Sequence, residues 1–141
     1  MENPHFSSPQ IGGQQFLAKR AADCMVRSLG ATQVSLRIAE QSTGGIFGEL
    51  GLNTPTVEDV PLSPALVRTV SAPHEPRVRY EVQLSNSSVA QAVSMYRAED
   101  VADWLLTAVA LVYGDKVLHI DSVLVDQHAG ADCLYRIFAS E

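Results

Sequence analysis

Hydrophobic and polar positions alternate along this chain in two rhythms, and residues 97–126, RAEDVADWLLTAVALVYGDKVLHIDSVLVD, contain both. Val101, Trp104, Leu105, Ala108, Val109 and Val112 recur at three- and four-residue intervals, one face of a 3.6-residue helix. Leu106 and Leu111 widen that stripe, Glu99, Asp100 and Asp103 occupy the first turns where carboxylates suit the helix dipole, and Gly114 supplies a stop. The pattern therefore predicts a helix near residues 98–113, followed by a strand over 116–125. In that strand Leu118 and Ile120 share one parity while Val123 and Val125 fall on the other, which predicts a bulge near Asp121 and Ser122 or a strand covered on both faces.

Elsewhere the same reading gives further elements. Residues 14–29 form a helix with Leu17, Ala18, Ala21, Ala22, Met25 and Leu29 on its apolar face and Gly30 as its stop. Val34, Leu36 and Ile38 alternate with Ser35 and Arg37 in a half-buried strand. Residues 56–70 contain Pro61 and Pro64 and read as edge strand broken into pieces. Residues 77–84 give the cleanest alternation, with Val78, Tyr80, Val82 and Leu84 inward and Arg77, Arg79, Glu81 and Gln83 outward. Serines 85, 87 and 88 supply cap chemistry for a short helix over 89–95, residues 126–132 read as a turn, and 133–139 as a returning strand. The implied fold is α+β: mainly antiparallel β-sheet or a small barrel, packed by an N-terminal helix and a second helix near residues 98–113. Residues 1–13, rich in Pro, Ser and Gly, read as an arm, and 14–141 as a single domain.

A chain of 141 residues can bury its own core without staples. Charge changes the picture more than composition does. Residues 1–70 carry five basic and six acidic side chains and residues 71–141 five and ten, so the second half holds −5 of the net −6. That acidity speaks against a broad nucleic-acid or anionic-membrane surface, and no segment is long and apolar enough to span a membrane. The opening residues lack a basic and then apolar leader, so a cytoplasmic product or a part of a virion assembled in a host cytoplasm is expected. Cys24 and Cys133, far apart in sequence, read as free buried thiols.

Candidate chemistry is sparse. His119 and Asp121, and Asp126 and His128, form two i, i+2 pairs that a turn could fold together as mixed nitrogen and oxygen ligands for a metal, or as a small hydrolytic site. Turn composition explains the second pair without a metal, so the expectation is no metal, no cofactor and no catalytic residues, with a small metal-binding or hydrolytic domain as the alternative. Gly44, Gly45 and Gly48 follow a strand but no helix and no Gly-Lys-Ser/Thr follow them, which speaks against a phosphate loop. The segment 40–53 is too glycine-rich for a helix, yet Ile46, Phe47 and Leu50 are too apolar for an ordinary solvated loop. It either folds back on its own domain or docks on a partner. Arg68, Arg77 and Arg79 read either as a solvated strand face paired with Glu75 and Glu81 or as a basic patch for an acidic protein partner.

Three short runs carry a family resemblance: YEVQLS at 80–85, GDKVL at 114–118 leading to SVLVD at 122–126, and GADCLYRI at 130–137. Over about the last sixty residues the chain resembles the small head-to-tail connector proteins of tailed bacteriophages, the neck, stopper or joining class. The first seventy residues depart from it, because the helix at 14–29 has no counterpart there. The resemblance implies a non-enzymatic subunit of a homo-oligomeric ring that joins head, neck or tail components. Its partners would be copies of itself and neighbouring phage proteins, with no membrane and no sequence-specific nucleic acid. Ile46, Phe47, Leu50, Arg68, Arg77 and Arg79 are then the expected subunit contacts.

Overall fold

A computed structural model describes residues 7–30, 32–40, 56–70 and 73–141. Its elements are α1 (Ser7–Leu29), β1 (Thr32–Glu40), β2 (Thr56–Val70), β3 (Arg79–Ser85), α2 (Asn86–Tyr96), α3 (Val101–Leu106), β4 (Ala110–Tyr113), β5 (Lys116–His128) and β6 (Ala131–Ser140). The strands close a six-stranded antiparallel barrel in the order β1-β2-β3-β6-β5-β4. Two meanders, β1-β2-β3 and β4-β5-β6, meet through their first strands and through their last strands. The fold class expected from the sequence is therefore the one observed, as its barrel variant.

Period-two alternation fills the barrel. Leu36, Leu62, Val82, Leu84, Leu111, Leu118 and Ile137 point inward and are fully buried, with Tyr80 and Tyr135 nearly so. The pairing of β5 with β6 steps from Ile120↔Ala139 to Ser122↔Phe138, so the bulge expected at Asp121 is present. It returns Val123 and Val125 to the inner face and keeps one apolar wall along the strand. Ala129 (φ 51°) and Gly130 (φ 80°) close this hairpin with two successive left-handed residues, the type I′ pattern that matches strand twist.

Several sequence expectations are corrected. The helix at 98–113 is one and a half turns, ending at Leu106, and Ala110–Tyr113 is the strand that closes the barrel. Over four residues a helical stripe and a strand's alternation look alike, and here two neighbours decide: Leu111 pairs with Leu36 on one side and Leu118 on the other. Val109, on the predicted buried face, is instead 55% exposed. Gly114 (φ 62°) is not a helix stop; with Asp115 it makes the tight turn between Tyr113 and Lys116.

Residues 56–70 form one continuous strand rather than broken edge pieces. The prolines are accommodated because β2 divides its two edges: residues from Thr56 to Ala65 pair with β1, while pairing with β3 runs only from Ala65 to Val70. Pro61 and Pro64 thus sit where the second edge has no strand partner, and a missing amide costs no ladder bond. α1 begins at Ser7, so residues 7–13 of the expected arm are helical. Gly30 ends α1 by close approach: a Cβ there would lie 2.7 Å from the Leu66 Cα and 2.9 Å from the Ala65 carbonyl oxygen.

Candidate interaction surface

The face that α1 turns to the barrel is not the one its largest apolar residues mark. Val26 is fully buried, and Ala18, Ala22 and Met25 are half-buried beside it. Phe16 (62%), Leu17 (64%) and Leu29 (68%) are exposed, so the buried stripe runs through Ala18, Ala22 and Val26 and leaves out two of the leucines expected on it. Small side chains let α1 lie close to the strands, and polar ties set its position. At one end Gln15 Nε2 donates to the Ala129 carbonyl in the β5–β6 turn (2.6 Å). Further along, Asp23 accepts from Ser85 Oγ (2.7 Å), from Ser87 Oγ and from Arg27 Nε (2.8 Å). These donors, Ser87 foremost and Arg27 next, hold the Asp23 carboxyl down at about 2 against the partial burial that opposes them.

Where β2 lacks its second strand neighbour, α2 lies alongside instead. Between them runs a groove of about 220 Å³, with Glu58, Asp59 and Pro61 on one wall and Gln91, Ala92 and Met95 on the other. Met95 (64%) is an exposed apolar side chain at its rim. The acidic side is held in place: Arg37 Nε donates to Asp59 Oδ1 (2.8 Å) and Tyr96 Oη donates to Glu58 Oε2 (2.6 Å). Trp104 does not line this groove; it stacks obliquely on Tyr96, ring centres 5.8 Å apart, and packs on the barrel core.

The outer barrel wall carries an ionic ladder across four strands. Glu81, expected on the solvent face, is 1% exposed, because Arg68 and Arg136 close over it from the flanking strands. Arg68 Nε donates to Glu81 Oε2 (2.5 Å), Gln83 Nε2 donates to its Oε1 (3.2 Å), and Arg136 Nη1 stands 3.8 Å from Oε1. Arg136 Nη2 also donates to Asp126 Oδ1 (3.0 Å), and its buried Nε has no partner among the described residues. At the barrel mouth Lys116 Nζ donates to Glu141 Oε1 (2.6 Å) and to Tyr80 Oη (2.7 Å), which hold the ammonium well above its ordinary value.

Of the residues singled out from the sequence, Arg68 is bound to Glu81, Arg79 to Glu75 (2.8 Å), and Arg77 is exposed. Ile46, Phe47 and Leu50 lie outside the described residues. The His and Asp quartet is not gathered. His119 Nε2 stands 3.9 Å from Asp121, but Asp126 is committed to Arg136, and His128 lies nine residues along the same strand, about 30 Å away at strand rise. Among the described residues no three His, Cys, Asp or Glu side chains are grouped as a metal would need. Both cysteines are free, but Cys24 is exposed rather than buried, on the outward face of α1. No described helix is long and apolar enough to cross a membrane.

Sequence reasoning passed over Phe16 and misassigned Leu17 and Leu29 to the buried face. The signal available was the alanine pair Ala18 and Ala22 followed by Val26, a stripe too small to need a deep groove. Met95 and the Glu58–Asp59 pair carried no signal, because they meet only through the path of β2. No protein-family model, curated protein or solved structure matches this chain.

Proposed function

We propose that the chain is a non-enzymatic structural subunit of a phage or phage-like particle, forming a homo-oligomeric ring that joins head, neck or tail components. The particle is suggested by the resemblance of the C-terminal residues to small connector proteins. The assembly is supported by one observation above others: a helix pinned to the barrel through its small residues leaves Phe16, Leu17 and Leu29 in solvent. Three large apolar side chains exposed on one helix, with Met95 exposed on the β2–α2 groove, are what a protein retains when another surface covers them. The barrel interior, by contrast, is packed with aliphatic side chains and serves as a scaffold.

The test is the native mass of the purified chain together with protein analysis of purified particles. The expected result is a closed oligomer in solution and a fixed copy number in particles. A monodisperse monomer that no particle contains would overturn the reading, and stoichiometric zinc, iron or manganese in the purified protein would replace it with the metal-site alternative.

A further inference from the structure

Phe16 and Leu17 on α1 and the acidic groove between β2 and α2 are complementary, separate surfaces of one molecule. Charge is the first argument. α1 carries Lys19, Arg20 and Arg27 against Asp23, a net +2 in a chain of −6, which leaves −8 on the remainder. Lys19 and Arg20 are both exposed and flank the exposed pair Phe16 and Leu17. The groove presents Glu58 and Asp59 on one wall, Asp59 already paired with Arg37, and the exposed thioether of Met95 on the other. A basic helix with apolar anchors fits an acidic groove with an apolar rim, whereas two copies of α1 set face to face would bring like charges together.

Topology is the second argument. The tie from Gln15 to Ala129 places the Phe16 end of α1 at the β5–β6 turn, while the groove belongs to β2. In the ring order β1-β2-β3-β6-β5-β4, β5 is three strands from β2 in either direction, and it is the far end of α1, at Asp23 and Gly30, that meets α2 and β2. With α1 held at both Ala129 and Ser85, its exposed residues cannot reach their own groove. The partner that does match, and is present in equal amount, is the groove of another copy.

We infer that α1 of one copy docks through Phe16, Leu17, Lys19 and Arg20 into the β2–α2 groove of the next, at Glu58, Asp59 and Met95. This contact is heterologous, head to tail, so it either closes into a ring or runs on as a filament. The inference rests on the assembly reading above and supplies its contact. Cys24, seven residues beyond Leu17 on the same helix face, lies beside the covered surface and gives the native protein its own reporter, since Cys133 is buried.

The experiment compares native masses by light scattering for the wild-type chain, for Phe16→Asp/Leu17→Asp, for Met95→Glu, and for a mixture of the two variants in equal amounts. Wild type is expected to assemble and each variant to remain monomeric with an unchanged melting transition. The mixture, in which one copy keeps an intact groove and the other an intact α1, is expected to form dimers and nothing larger. Labelling of Cys24 by a thiol reagent in the wild-type chain should slow as concentration rises through assembly. If both variants assemble as wild type does, or Cys24 labels equally at all concentrations in an assembled sample, this contact is wrong while the ring reading stands on other residues. If Phe16→Asp/Leu17→Asp alone is monomeric and Met95→Glu assembles normally, the groove is excluded as the partner. Open filaments dissolved by either variant would uphold the contact and overturn the ring. A wild-type monomer throughout overturns both.

Discussion

α1 and β6 each lie against other elements of the fold, and they differ in where they place their bulk. β6 alternates, with Cys133, Tyr135, Ile137 and Ala139 buried and the intervening residues on the outer wall. Its large side chains define the core, and strands on both edges hold it. α1 does the reverse: Ala18, Ala22 and Val26 face inward while Phe16, Leu17 and Leu29 face out, and side-chain hydrogen bonds at Gln15 and Asp23 help fix its seat. The barrel is thus organised by burial, and the helix by fit and polar ties. A surface organised in the second way keeps its hydrophobic surface for something else.

The comparison breaks most sharply in the barrel. Leu111→Ala removes a fully buried side chain from the strand that closes the ring, and a loss of about 2–5 kcal/mol is expected in denaturant unfolding. A loss below 1 kcal/mol would mean that β4 is peripheral and the barrel open. Next comes the close contact beneath the helix end. Gly30→Ala should cost about 1–3 kcal/mol, because the added methyl meets the β2 backbone, which cannot move aside as a flexible side chain could. A neutral result would show that α1 does not lie tightly on Leu66.

Smaller, and dependent on pH, is the tie at Asp23. Its carboxyl is lowered on folding, so it contributes stability above the ordinary aspartate value of 3.8, and that contribution is lost as pH falls from there toward about 2. Asp23→Asn should cost on the order of 1 kcal/mol at neutral pH and flatten the loss of stability across that acid window. Equal acid sensitivity in both proteins, followed by circular dichroism, would remove Asp23 as an anchor of α1. Least of all should the exposed pair matter: Phe16→Ser or Leu17→Ser is expected to change monomer stability by no more than about 0.5 kcal/mol. A cost near that of Leu111→Ala would erase the distinction between the two regions.

What could be read in advance followed strict alternation. Tyr80, Val82 and Leu84 fall inward as their spacing demanded, and the parity break in β5 marked its bulge, since a period of two leaves no other way to keep Ile120 and Val123 on one face. Where two periods coincide over a few residues, reading failed. Residues 110–113 satisfy a helix as well as a strand, and only the open edges of β1 and β5 select the latter. Glu81 failed for a related reason: its outward parity was correct, but its burial comes from Arg68 and Arg136 on neighbouring strands.

By itself the sequence determined an α+β chain with an N-terminal helix, antiparallel strands with their inward sets, and a surplus of acid in the second half, because these depend on residue type and local spacing. Closure of the barrel, the tolerance of Pro61 and Pro64, the exposure of Phe16, Leu17 and Leu29 on α1 and the groove between β2 and α2 were decided only in three dimensions. Each depends on which distant edge or wall arrives beside a residue, and periodicity along one segment carries no information about the segment it will meet.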